Sequence, residues 1–167
     1  DDQGNWTDWS QPLLFYTLAR APGTLAGPLE GDVVLGGKGK EVLRVLGNVL
    51  VPSTASVEIL PGTTLSLSPG CTLRIRGRLV ARGTRTEPVR FTGDPEHPWG
   101  RLFFEQANSG STAPDRGSPQ DNPAGTLVGC IVEHGHGVVI EGAGPDITDC
   151  VIRQNASSGI SVQDAAV

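Results

Sequence analysis

The chain has 167 residues, a formal net charge of −5 and 19% charged residues. That balance argues against nucleic acid as a partner, because phosphate binding needs a positive field, and no apolar run reaches the ~20 residues of a membrane-spanning helix. Aromatic residues are only 5% while Gly (23) and Pro (13) are plentiful, which excludes a core built on aromatics and leaves a thin, long core of Val, Ile and Leu.

Residues 1–32 read as an irregular cap or linker carrying Trp6, Trp9, Leu13, Leu14, Phe15 and Tyr16. Asn5-Trp6-Thr7 is a glycosylation sequon, as is Asn155-Ala156-Ser157 further on, and both suit a secreted chain. The chain opens on Asp1-Asp2 and contains no Met, so it reads as processed or excerpted from something longer, with any membrane association supplied by flanking regions.

From residue 43 the chain runs in short alternating bursts: Leu43-Arg44-Val45, Val49-Leu50-Val51, Val57-Glu58-Ile59, Leu65-Ser66-Leu67, Leu73-Arg74-Ile75, Leu79-Val80-Ala81 and Val89-Arg90-Phe91. Each is a minimal strand with side chains on alternate faces. Pro61-Gly62, Pro69-Gly70, Gly77 and Gly83 separate them as turns. The intervals are too short for crossover helices, and the crowding of Pro, Gly and β-branched residues disfavours an amphipathic helix.

The bursts repeat. Leu43/Val45 maps onto Leu65/Leu67, and Val57/Ile59 onto Leu79/Ala81, each after 22 residues. A period of this size with strands and turns alone marks a solenoid. The fold expected is all-β: a right-handed parallel β-helix with three short strands per coil of about 20–22 residues, spanning residues 33–167. Inward residues of successive coils then stack as aliphatic ladders, and the aromatic N-terminal segment would cover the otherwise open first coil.

Residues 106–125 carry no large apolar side chain and read as a mobile loop leaving the solenoid. Beyond it, Leu127–Val132 aligns with Ile147–Ile152 after 20 residues, and Gly137–Ile140 with Gly159–Val162 after 22. The last strand would leave a bare edge, so further coils are expected after Val167. Cys130 and Cys150 fall at equivalent inward positions, open either to a pair of buried ladder thiols or to a disulfide, since in-register parallel neighbours are within bridging distance. Cys71 reads as a small packed residue.

The segment Gly47–Gly93 resembles the opening coils of pectate-lyase-like right-handed β-helix proteins. The resemblance rests on Gly77-Arg78-Leu79-Val80-Ala81-Arg82-Gly83-Thr84, on Pro88-Val89-Arg90-Phe91-Thr92 and on the following Trp99-Gly100. It extends over residues 33–165 and is specific to fold, not to activity. Within that group the chain is similar to the extracellular bark beetle (anakonda) type, which organises epithelial junctions. The resemblance implies an extracellular or cell-surface location and a structural or adhesive scaffold with a protein or acidic-glycan partner. The alternative is a secreted polysaccharide-acting lyase or hydrolase, or a carbohydrate-binding module.

Catalysis on such a scaffold needs acidic groups on adjacent coils. Glu133 instead has Arg153 at its equivalent position, Asp94 and Glu96 lack acidic counterparts one coil on, and no acidic column is found at the 20–22-residue interval. No catalytic residue, metal or cofactor is therefore expected. His134-Gly135-His136 reads as a polar turn, with a metal-binding strand as the alternative. The remaining candidate is basic: Arg74, Arg76, Arg78, Arg82 and Arg85 lie within residues 59–86, which contain no Asp or Glu. Arg74, Arg76, Arg78 and Arg82 are the expected glycan-binding stripe, since guanidinium groups suit sulfate and carboxylate. The bland alternative is a solvated strand surface.

Overall fold

Alternating apolar residues in bursts this short can bury one side only against a copy of themselves, and the chain solves this by coiling. The computed structural model describes residues 23–37, 40–105, 124–142 and 144–163. Its strands are β1 (Thr24–Pro28), β2 (Asp32–Leu35), β3 (Val42–Val51), β4 (Ser56–Ile59), β5 (Thr64–Leu67), β6 (Leu73–Ile75), β7 (Arg78–Arg82), β8 (Val89–Gly93), β9 (Leu102–Glu105), β10 (Gly125–Val128), β11 (Cys130–Glu133), β12 (Val138–Glu141), β13 (Asp146–Thr148), β14 (Val151–Arg153) and β15 (Ile160–Gln163). No helix occurs among the described residues.

All pairings are parallel and generate three faces. Face A stacks β2, β4, β7, β10 and β13; face B stacks the first half of β3 with β5, β8, β11 and β14; face C stacks the second half of β3 with β6, β9, β12 and β15. The expected β-helix with three strands per coil is what the chain forms. The repeats read from the sequence are the structural registers: Leu43 pairs with Leu65, Val57 with Leu79, Leu127 with Ile147 and Val138 with Ile160.

Other steps are longer, because insertions sit in the turns. Leu65 pairs with Phe91 and Leu73 with Leu102. The bursts Leu43–Val45 and Val49–Val51 are one continuous 10-residue strand, β3, which serves two faces with the exposed Leu46 between its two halves. Pairing also starts before residue 33: β1 lies inside the segment read as cap or linker, adds to β3, and buries Leu25. Residues 1–22 and 106–123, which hold Asn5, the tryptophan pair and most of the expected loop, lie outside the described residues.

The core is a set of ladders. Leu43, Leu65, Phe91 and Val132 stack inside face B, and Val49, Leu73, Leu102 and Val138 inside face C, all buried. Each buried aliphatic or aromatic side chain contributes about 1.5–3 kcal/mol. The turns repeat as well. His134 (φ 62°) and Gln154 (φ 52°) hold corresponding left-handed positions one coil apart, and the His134 amide donates to the Gln154 carbonyl at 3.1 Å.

Candidate functional site

Outward residues form columns just as inward ones do. On face C, Pro28, Leu50, Arg74, Phe103, Val139 and Ser161 lie one above another, each paired with the next coil. Beside this column run Asn48, Thr72 and Arg101. Together Pro28, Asn48, Leu50, Thr72, Arg74, Arg76, Arg101 and Phe103 line a groove of about 550 Å³. Its lining joins the apolar Pro28, Leu50 and Phe103 to the guanidinium groups of Arg74, Arg76 and Arg101, and guanidinium groups suit carboxylate and sulfate.

Glu105, at the end of β9, organises the basic side. Arg74 forks onto it through Nε (2.6 Å) and Nη2 (3.0 Å), and Arg76 reaches the same carboxylate through Nε at 2.8 Å. Arg74 also lies over the Phe103 ring, 5.6 Å from its centroid. The hydrogen bond from Arg76 holds the Glu105 carboxyl below its ordinary range, against partial burial, with Arg74 adding to the effect. Two flexible side chains are thus pre-positioned on one counterion. Arg101 is exposed and makes no ion pair among the described residues.

The expected stripe of four arginines is divided. Arg74 and Arg76 belong to face C, whereas Arg78 and Arg82 bound β7 on face A. Gly77 makes the corner between them; a Cβ there would run into the carbonyls of Ala55 and Pro52. The acid-free window was a property of sequence alone, because Glu105 and Arg101 join the site from the next coil.

An acidic column also exists where none was expected. Glu105 and Glu141 are register partners on β9 and β12. The sequence interval hid them, since the insertion at 106–125 lengthens that step beyond a single regular coil. Glu133, by contrast, is buried between Arg90 (2.7 Å) and Arg153 (3.0 Å) and ties β8, β11 and β14 together. Burial raises its carboxyl, but the bonds from Arg90 and then Arg153 outweigh this and leave it below the ordinary value.

The histidine triplet is a turn, not a strand. His134 Nδ1 lies 3.2 Å from Thr92 Oγ1, and the His136 amide donates to the Gly100 carbonyl. Gly135 lies on the ring of Trp99, leaving no room for a Cβ. Trp99 itself is fully buried and donates from Nε1 to the Glu133 carbonyl at 2.8 Å. The sequon residue Asn155 is half-buried: its Oδ1 accepts from the Gly135 amide (3.0 Å) and its Nδ2 donates to the Val132 carbonyl (3.2 Å). That amide is committed to the neighbouring coil. Cys71, Cys130 and Cys150 are free thiols.

No protein-family model matches the chain, and neither a curated protein nor a solved structure matches it.

Proposed function

We propose that the chain is an extracellular or cell-surface scaffold segment of the pectate-lyase-like, non-catalytic kind, which binds an acidic glycan in the face C groove. The observation that carries this reading is the groove itself: Arg74 and Arg76 fixed by Glu105, Arg101 beside them with no ion pair among the described residues, and Leu50 and Phe103 as an apolar platform. The repeat architecture supports it, because a solenoid presents a long surface at constant spacing along which a polymer can lie. Asn5 and Asn155, in their sequons, are the glycosylation sites in keeping with that location. A scaffold at cell junctions, as in the bark beetle (anakonda) type, is one setting for such a surface.

Calorimetric titration with a heparin-derived hexasaccharide and with an oligogalacturonate tests the proposal. Arg101→Ala is expected to weaken binding at least tenfold, about 1.4 kcal/mol, and added salt is expected to weaken it further. Arg82→Ala, on face A, is expected to leave affinity unchanged. Equal binding by wild type and an Arg74→Ala/Arg101→Ala double variant would overturn the reading.

One observation favours a second reading, a polysaccharide-acting enzyme. Glu105 and Glu141 are register partners on adjacent coils, and glycoside hydrolysis uses a pair of carboxyl groups flanking the scissile bond. New reducing ends released from acidic polysaccharide by the wild type, and absent with Glu141→Gln, would establish it. Against it stands the engagement of both Glu105 oxygens by arginine.

A further inference from the structure

The thiols of Cys130 and Cys150 are not used by the groove. Cys130 opens β11 and Cys150 immediately precedes β14, and the register Ile131 to Val151 places them opposite each other on adjacent coils. In-register parallel strands lie about 4.8 Å apart, within the Cα separation that a disulfide spans. Cys130 is 1% exposed, while Cys150 is only partly buried. Each S–H also has carbonyl acceptors nearby: Ala81 (3.6 Å) and Val128 (3.4 Å) for Cys130, Leu127 and Thr148 (both 3.3 Å) for Cys150. This is a pair in contact, one member sheltered and the other reachable from solvent.

We infer that Cys130 and Cys150 form a redox-closable staple that fastens the coil of β13 to β15 onto the coil before it. Cys150 is the attacking group. It is the thiol reachable from solvent, and the neighbouring Cys130 thiol lowers it below the ordinary thiol value. The hydrogen bond between the two, with burial, pushes the Cys130 thiol up. With oxidised glutathione as oxidant, the Cys150 thiolate attacks one glutathione sulfur. The glutathione S–S bond breaks, and one glutathione leaves as thiolate and takes up a proton. Capping Cys150 removes the anion that held the Cys130 proton. Cys130 then loses that proton to solvent, attacks Cys150 Sγ, and expels the second glutathione. The two protein thiols lose two electrons and two protons, and one glutathione disulfide becomes two glutathiones.

The staple has something to fasten. The strands β13, β14 and β15 are paired on one side only among the described residues, and Val151, Ile160 and Val162 are 47%, 44% and 66% exposed. Oxidation is expected to slow their opening while leaving β5 to β9 unchanged.

The test uses the full chain with Cys71→Ala, which removes the third thiol, exposed to a graded ratio of oxidised to reduced glutathione. Intact mass is expected to fall by two hydrogen masses with the chain monomeric, and amide exchange at Val151–Arg153 to slow roughly tenfold. Cys130→Ser is expected to stop at a glutathione adduct on Cys150, and Cys150→Ser to stay reduced. If Cys71→Ala does not fold, peptide mapping of the oxidised wild type reads the same linkage. A stable glutathione adduct, or a dimer, with both cysteines present would overturn the inference.

Discussion

The middle coils and the last described coil, β13 to β15, are built from equivalent residues yet differ in what burial they achieve. Leu102 and Val138, on β9 and β12, are 0% exposed, whereas Ile160, the next rung of the same ladder, is 44% exposed. Phe104 and Ile140 are buried at 1% and 7%, and their successor Val162 is 66% exposed. The side chains are as apolar in one place as in the other. What differs is whether, among the described residues, a coil lies on both sides, so in a solenoid burial is a property of neighbours. Among the described residues, the coil of β13 to β15 is the one expected to open first, because it is paired on one side only.

The largest effect expected is inside the middle coils. Phe91→Ala removes a fully buried ring from the face B ladder and should cost about 3–5 kcal/mol in denaturant unfolding. Gly135→Ala should be of similar rank, because its Cβ would overlap the buried Trp99 ring; loss of the native tryptophan fluorescence position would report it. Either variant at wild-type stability would break the comparison.

A middle-sized effect is expected at Glu133, which joins β8 and β11 to β14, the outermost described strand of face B. Its carboxyl lies below the ordinary value of 4.5 in the folded chain. The stability from its ionised form is therefore complete above that value and is lost as pH falls through the lowered one. Glu133→Gln should cost roughly 1–2 kcal/mol at neutral pH, at the low end for charged hydrogen bonds because both arginines are more than a third exposed. It should also flatten the loss of stability between neutral and acid pH, as followed by urea unfolding at a series of pH values. An unchanged acid slope in this variant would remove the proposed strut.

The smallest effect is expected at Val162. Val162→Ala should change global stability by less than about 0.5 kcal/mol, in contrast to the same truncation at the buried Val138. Amide exchange should be faster in β13 to β15 than in β5 to β9 in the reduced protein. Equal protection along the chain would show that the coils unfold as one unit, and would erase the distinction between middle and end.

Much of this was legible in the residues. The 22-residue step from Leu43 to Leu65 and the 20-residue step from Cys130 to Cys150 are registers, readable because inward residues must recur wherever coil lengths are equal. The candidate site was only half legible. Arg74 and Arg76 could be seen pointing outward from the alternation with Leu73 and Ile75. Their counterion Glu105, the neighbouring Arg101 and the partner Glu141 could not, because they lie beyond irregular insertions that break the interval. Arg78 and Arg82 were misplaced for a local reason: a glycine corner at Gly77 turns the chain onto another face without any change in the alternation.

The sequence by itself determined the class of fold, since short apolar alternation at a constant period has no way to be buried except by stacking on itself. It also determined which residues face inward, because strand periodicity is local. Only the tertiary structure decided which outward residues meet. Those meetings depend on how many residues each turn inserts between coils, and a column on the surface is assembled from neighbours in space that turn length, not side-chain pattern, brings into line.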